Sequence, residues 1–348
     1  MRSNDKALIR AINGQPVATH PFWLMRQAGR YLPEYRAVRA TARDFVQLCL
    51  TPDLATEVTL QPIRRFGMDA AILFSDILMI PYALGQHLAF QDGEGPKLDP
   101  IRDFTGMMRL AELPDLGKLE PVYETIRRVK AALPAETTLI GFAGAPWTLA
   151  TYMIEGGSSR VFAKVHQWIE EDPAGFMLLI DRLADSVALH LIEQIAAGAE
   201  VVQIFDSWAA AAAENGLERY IIRPTARIVA QVKARYPEVP IIGFPKGIGA
   251  HVTRYAKDTG VDMVSIGNEA SLDYARDSLQ KHAAVQGNLD PALLVQGGKA
   301  MEDAVQHIVA TLGKGRFVFN LGHGVVPETP PAHVAALTEL LRSLPAAG

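Results

Sequence analysis

Short apolar runs punctuate the chain at intervals, and most are continuous rather than alternating. They are PFWLM (21–25), DAAILF (69–74), TLIGFA (138–143), EVVQIF (200–205), PIIGF (240–244), DMVSIG (262–267), AAVQGN (283–288) and RFVFNL (316–321). A strand covered on both faces has no polar side to show, so runs of this kind predict buried parallel strands. Amphipathic stretches lie between them. The clearest starts at EDPAG, where Asp172 is placed to cap and Pro173 sits in the first turn. Phe176, Ile180, Leu183, Val187, Leu191 and Ile195 then share one helical stripe, and Gly198 ends it. TPDLATEVTLQPIRRFG (51–67) repeats the pattern with Thr51 as cap, although Pro62 predicts a kink or an early end.

Eight strands alternating with helices predict an α/β fold, a (β/α)8 TIM barrel spanning residues 1–348 as one domain and closed by PPAHVAALTELLRSL (330–344). An open doubly wound sheet is the competing architecture. No predicted strand runs into a G-x-G-x-x-G turn, so its dinucleotide-binding form has no support. The first three connections run roughly 45 to 65 residues and most later ones about 20 to 35, so the early βα loops carry insertions. In a barrel those loops stand over the C-terminal mouth, where active sites form.

Composition narrows the function. Apolar residues make up 49% of the 348 positions, enough for a large core, and the formal net charge of -4 argues against general affinity for nucleic acid or anionic membrane. The lone Cys49 excludes an internal disulfide framework and a zinc site built on paired thiolates. No apolar run approaches the roughly 20 residues of a membrane span, and the N-terminus lacks the apolar core of a secretion signal. A cytoplasmic protein is expected.

If the barrel holds, residues just after each strand share one rim. Arg26, Gln27 and Arg30 follow the first run, Ser75 and Asp76 the second. Tyr152 lies in GAPWTLATYMIEGGSS after the third, and Asp206 and Ser207 follow the fourth. Lys246, Asn288 with Asp290, and His323 complete the ring. Arg26 and Arg30, held by a glycine-containing turn, suit a ligand with several carboxylates, because guanidinium forks bind carboxylates in pairs of hydrogen bonds. Alternatively they are solvated or pair with Glu34 and Asp44 on the surface, the background to which Arg36, Arg39 and Arg43 are assigned. Asp76 ends an apolar run and needs partners there; it is either a catalytic carboxylate or a helix cap. Asp206 and Ser207 carry the same ambiguity. Tyr152 offers a phenol that a loop could equally satisfy. Lys246 is a Schiff-base candidate or an anion-binding or structural lysine. His323, between two glycines, could hydrogen-bond a carboxylate or shuttle a proton.

The same segments carry a family resemblance. PFWLMRQAGRYLPEYR and GFAGAPWTLATYMIEGGSS look like the two signatures of the uroporphyrinogen decarboxylases, with ILFSDILMIPYALG, IFDSWA, GFPKG, QGNLDP and FNLGHGV in matching order. The resemblance implies a single (β/α)8 barrel, a homodimer with facing mouths, and no metal or organic cofactor. It also implies a cyclic tetrapyrrole substrate, uroporphyrinogen III, whose four acetates become methyls to give coproporphyrinogen III. Arg26, Gln27, Ala28, Gly29 and Arg30 match the family's substrate-carboxylate loop. Asp76 matches the carboxylate that meets the pyrrole N–H groups, which makes Asp76, Arg26 and Arg30 the implied catalytic set. Tyr152, Ser207 and His323 match other substrate contacts, with serine at 207 where some members carry threonine. Three rivals stand beside this reading: a corrinoid-dependent methyltransferase of the same barrel type, a Schiff-base aldolase using Lys246, and a non-catalytic tetrapyrrole carrier. The methyltransferases typically use zinc on histidine and cysteine ligands, a set this chain's single cysteine does not supply.

Overall fold

Seven of the eight apolar runs are strands of one parallel sheet. In the computed structural model, which describes residues 3–91, 95–212 and 214–346, nine strands occur among the described residues. They are β1 (Ala70–Ile72), β2 (Leu88–Gln91), β3 (Gly95–Leu98), β4 (Thr138–Gly144), β5 (Val201–Asp206), β6 (Ile241–Pro245), β7 (Met263–Ser265), β8 (Ala284–Leu289) and β9 (Phe317–Leu321). The curled main sheet has the order β1-β4-β5-β6-β7-β8-β9, and β2 and β3 pair as a separate antiparallel ribbon. That ribbon has no counterpart among the predicted strands.

The eighth run, 21–25, departs from expectation. It makes a single parallel bridge, Phe22 to Phe319, rather than a ladder. The Phe319 N–H donates to Pro21 O at 2.9 Å, and on the other side the Asp69 N–H donates to Phe22 O at 3.0 Å. Two of its own amides are taken by side chains: Phe22 N–H by Asp69 Oδ2 at 2.9 Å and Met25 N–H by Asn320 Oδ1 at 3.0 Å. A segment whose donors are answered by side chains cannot also complete a ladder. It nevertheless lies between β9 and the residue preceding β1.

Alternation along the strands sorts the core into two layers. Trp23, Met25, Ile72, Ile140, Val201, Ile242, Phe244, Met263, Ala284 and Val318 pack together on the concave side with Leu8, Ile9 and Ile12 of the N-terminal helix Ala7–Ile12. The Lys6 ammonium before that helix donates to Glu200 and to the Thr137 carbonyl, both at 2.7 Å, immediately ahead of β5 and β4. The helix therefore covers the N-terminal ends of the strands. The opposite face of the sheet packs against the helices, where side chains such as Phe176, Leu183 and Leu191 are buried. Each such aliphatic or aromatic burial is worth about 1.5 to 3 kcal/mol, which outweighs local propensity.

That outweighing decides the two helices marked in the sequence. Pro173–Ala197 forms as predicted: Asp172 Oδ1 accepts from the Gly175 N–H at 2.9 Å, the whole stripe is buried, and Gly198 follows. Pro52–Phe66, by contrast, runs straight past Pro62 to Gly67. Pro62, Ile63 and Phe66 are all buried there, so packing retains the last turn despite the hydrogen bond that proline forfeits. Thr51 does not cap it with its side chain; its hydroxyl donates to Gln47 O at 2.7 Å instead. The final helix, Pro331–Ser343, is where the pattern places it. The long early connections hold extra elements, including Pro33–Thr41 and Phe45–Cys49 before β1, and Pro146–Glu155 and Ala163–Glu171 after β4.

Candidate active site

The rim residues singled out above cluster at the C-terminal ends of the strands, opposite the N-terminal helix. Most follow a strand or segment, but Asp206 is the last residue of β5, Asn288 lies near the end of β8, and Tyr152 sits on the helix Pro146–Glu155 after β4. The arginine loop is the most constrained part. Arg26 has φ +61°, a left-handed conformation that costs a non-glycine residue about 1 to 3 kcal/mol unless the surroundings impose it. They do: Met25 N–H is held by Asn320, Val325 N–H donates to Met25 O at 2.8 Å, and Gln27 N–H donates to Leu24 O at 2.9 Å. The Gln27 side chain is fully buried, accepting from Leu24 N–H at 3.2 Å and donating to Ala70 O at 3.1 Å. Gln27 thus pins the loop to β1, and Tyr31 Oη donates to its carbonyl at 2.8 Å. Ala28 and Gly29 form the half-buried turn between the two exposed arginines.

Of the surface alternatives for those arginines, pairing fails on its partners, while both side chains are exposed as solvation would have them. Glu34 is taken by Arg65 at 3.0 Å, and Asp44 by Arg43 at 2.9 Å and by the Gln47 N–H it caps. Arg36 donates to Arg30 O at 2.7 Å and Arg39 to Ala42 O at 3.2 Å, the structural roles expected of them. Among the described residues no hydrogen bond or ion pair engages the guanidinium of Arg26 or Arg30.

Asp76 lies at the other side of this charge. Its Oδ1 accepts from the Leu78 N–H at 2.8 Å, a cap-like bond that leaves the second oxygen available. Protein surrounds the carboxyl while solvent still reaches one edge, as at the floor of a cleft. Burial pushes its pKa up to about 6, opposed by the Leu78 amide and by the positive charge of Arg26. The segment is braced from behind, since Phe74 N–H donates to Thr59 Oγ1 at 3.0 Å. Buried Cys49 feels the Asp76 charge, and burial first, then that charge, pushes its thiol well up, so it is inert as a thiolate.

His323 and Lys246 face Arg26 from across the mouth. Burial, then the charges of Lys246 and Arg26, bring the His323 imidazole down to about 4, so it is neutral at pH 7 and offers one donor and one acceptor. Burial also lowers Lys246, which Glu269 counteracts. The Arg26 stem lies directly on Gly324, where a Cβ would overlap Cγ and Cδ. Gly324→Ala should therefore leave the melting temperature nearly unchanged while raising KM, because a flexible side chain yields. Gly322→Ala should instead destabilise the fold, since its Cβ would overlap the Asn268 backbone. Thermal melts and steady-state kinetics on the two variants check both.

On the remaining arc, Lys246 N–H donates to Asp206 O at 3.1 Å, and Ser207 follows half-buried with its hydroxyl unpaired among the described residues. The Tyr152 ring stands 6.3 Å from that of Trp208. Asn288 and Asp290 are spent internally: Asn288 donates to Gly267 O at 2.9 Å, and Asp290 caps the helix Pro291–Gln296.

The family model described as uroporphyrinogen decarboxylase (URO-D) matches residues 3–344. Curated proteins named uroporphyrinogen decarboxylase share this sequence throughout. The one from Rhodospirillum rubrum is 50% identical over 97% of each chain. That from Mesorhizobium japonicum is 52% identical over 97% of this chain and 98% of its own, and that from Agrobacterium fabrum 48% over 99% and 100%. The chain belongs to the uroporphyrinogen decarboxylase family. Among solved structures, a methyltransferase from Methanosarcina mazei matches with a TM-score of 0.76 at 16% identity, covering 97% of each chain. A B12-independent methionine synthase from Shewanella sp. W3-18-1 matches at 0.55 and 10% identity, covering 94% of this chain and 96% of that one. At such identities the likeness speaks for the fold alone.

Within this family member the charge of Arg26 acts on Asp76, His323 and Lys246, the Lys246 backbone joins Asp206, and Tyr152 lies with its ring tilted beside that of Trp208. Arg30 is apart from this set; its charge acts on the buried Tyr35 phenol, whose pKa burial raises and Arg39 and then Arg30 oppose. Sequence reasoning did not foresee Asn320 and Gly324 as the supports of Arg26, nor Thr148 beside Asp206. A signal for the first pair exists in FNLGHG, where an asparagine inside an apolar run must find a buried partner. Among the described residues no three His, Cys, Asp or Glu side chains are grouped to hold a metal ion, and no helix is long and apolar enough to cross a membrane.

Proposed function

We propose that this chain catalyses stepwise decarboxylation of the four acetate side chains of uroporphyrinogen III, giving coproporphyrinogen III; that its relatives are named uroporphyrinogen decarboxylases supports the reaction class. The observation that carries the reading is Asp76: a largely desolvated carboxylate at the strand ends on which the charge of Arg26 acts. Such a group is costly to the protein alone and is relieved by a cationic ligand.

The chemistry needs little more. A proton adds to the α-carbon of the pyrrole bearing the acetate, making the ring cationic. The C–C bond to the carboxylate then breaks, its electron pair neutralises the ring, and carbon dioxide leaves. The exocyclic methylene left behind takes a proton to become a methyl, and loss of the α-proton restores the aromatic ring. The net change is one carboxylate and one proton converted to one C–H bond and one carbon dioxide. Because the protonated pyrrole is the electron sink, the reading requires no metal or organic cofactor. Asp76, ionised and facing ring N–H groups, stabilises the cation by electrostatics already in place. Arg26 and Arg30 grip peripheral carboxylates, and neutral His323, Tyr152 and Ser207 supply hydrogen bonds. Gln27 orients the loop.

Two finer features belong to the same proposal. Residues 21–25 act as the eighth stave of a closed (β/α)8 barrel within a single domain, supported by their hydrogen bonds to both neighbours. The working form is a cytoplasmic homodimer, an implication of the resemblance that equilibrium sedimentation checks.

The decisive test is anaerobic incubation with uroporphyrinogen III followed by counting carboxyl groups on the product. Four remaining is the expected result; eight would reject decarboxylation and leave the carrier reading. The acid limb of kcat/KM should rise as pH passes about 6, where Asp76 ionises.

A further inference from the structure

Asp206 is a buried mouth residue with no part in the scheme above. It is 2% exposed, ends β5, and its two oxygens are treated differently. Oδ1 accepts from Thr148 Oγ1 at 2.6 Å, whereas Oδ2 is buried without a partner. The same Thr148 oxygen accepts the Trp208 N–H at 3.1 Å, so one hydroxyl couples the carboxyl to the residue beyond Ser207. Trp147 Nε1 donates to Trp208 O at 2.9 Å, which closes the turn from its other side. A carboxyl at the end of β5, and a hydroxyl and an indole from the first turn of the helix Pro146–Glu155, thereby set the backbone on which Ser207 stands.

We propose that Asp206 is a positioning residue: acting through Thr148, it fixes the Ser207–Trp208 turn in the geometry that receives the substrate, and it does so as the neutral acid. The inference rests on the functional reading above. An orphaned Oδ2 in a dry site is the natural place for the proton, because an ionised oxygen there would lack any compensating donor. Burial lifts its pKa to about 7, opposed by the Thr148 hydroxyl and amide. The titratable group facing it is the Tyr255 phenol, which burial keeps protonated at neutral pH, and Lys246 presents its backbone rather than its ammonium. Above pH 7 a negative charge beneath Ser207 would meet the carboxylates of the substrate.

Thr148→Val should therefore raise KM about tenfold, one hydrogen bond's worth of affinity, with kcat changed far less. Thr148→Ser should restore it. In the wild type KM should climb as pH rises through about 7, and Asp206→Asn, which keeps an acceptor for Thr148 but cannot ionise, should flatten that limb. A substrate-free readout separates this inference from the functional one: indole fluorescence should titrate near pH 7 in the wild type and lose that transition in both Asp206→Asn and Trp208→Phe. Equal impairment by valine and serine at position 148 would overturn the proposal. So would a fluorescence transition that persists in Asp206→Asn. If the transition behaves as expected but uroporphyrinogen III is not decarboxylated, the turn is correctly described and the proposed reaction is wrong.

Discussion

Replacing Asp76 by Asn should lower kcat by on the order of 10²- to 10³-fold, the usual cost of removing one preorganised electrostatic contact, and should at the same time raise the melting temperature of the ligand-free protein. The two effects have one cause. In the folded chain Asp76 has a pKa near 6, against about 3.9 when unfolded, so the folded state binds this proton more tightly. Its contribution to stability is complete below the unfolded value and lost as pH rises through the folded one. At pH 7 the charge opposes folding by about 2 to 3 kcal/mol, an upper bound because one edge meets solvent. Asparagine keeps an acceptor for the Leu78 N–H and removes that opposition. Melting curves at pH 5 and pH 7 check the linkage: the gain from the substitution should shrink at the lower pH. A variant as active as the wild type would take Asp76 out of the mechanism.

The second large effect concerns the arginines, and the structure separates them. Arg26→Ala should weaken binding by about 1.5 to 3 kcal/mol for each charged hydrogen bond lost, or roughly 10- to 150-fold. It should also move the acid limb of kcat/KM upward, because the Arg26 charge, after the Leu78 amide, helps to restrain the Asp76 pKa. Arg30→Ala should cost a comparable share of affinity with that limb in place, since the groups that oppose burial at Asp76 are the Leu78 amide and Arg26. A pH profile unmoved by Arg26→Ala would mean that Asp76 is governed by burial and the Leu78 amide. Unchanged KM in Arg30→Ala would return Arg30 to the solvated surface.

Much of this arrangement is readable before any coordinates. Seven buried strands, the capped helix after Asp172 and the terminal helix follow from local signals, which need only short-range sterics and the burial of continuous apolar runs. The exceptions share a different physics. Pro62 sits inside a helix because Ile63 and Phe66 are buried one turn on. Residues 21–25 pair by one bridge because Asp69 and Asn320 claim their amides. The β2–β3 ribbon was missed because its residues alternate weakly and fall inside a long connection.

The candidate site divides along the same line. Which residue types could grip an acid-rich ring, and the family they resemble, are properties of the chain's order alone, because motifs are local. Sequence also determined the continuous strands and hence which residues follow their C-terminal ends. Only tertiary structure decided that Glu34 and Asp44 are already occupied, that Arg26 is strained into place by Asn320 and Gly324, and that Asp76 and Asp206 are desolvated to different degrees. Those are facts about distance and dielectric between segments up to about 300 residues apart, and a linear string of residues carries neither quantity.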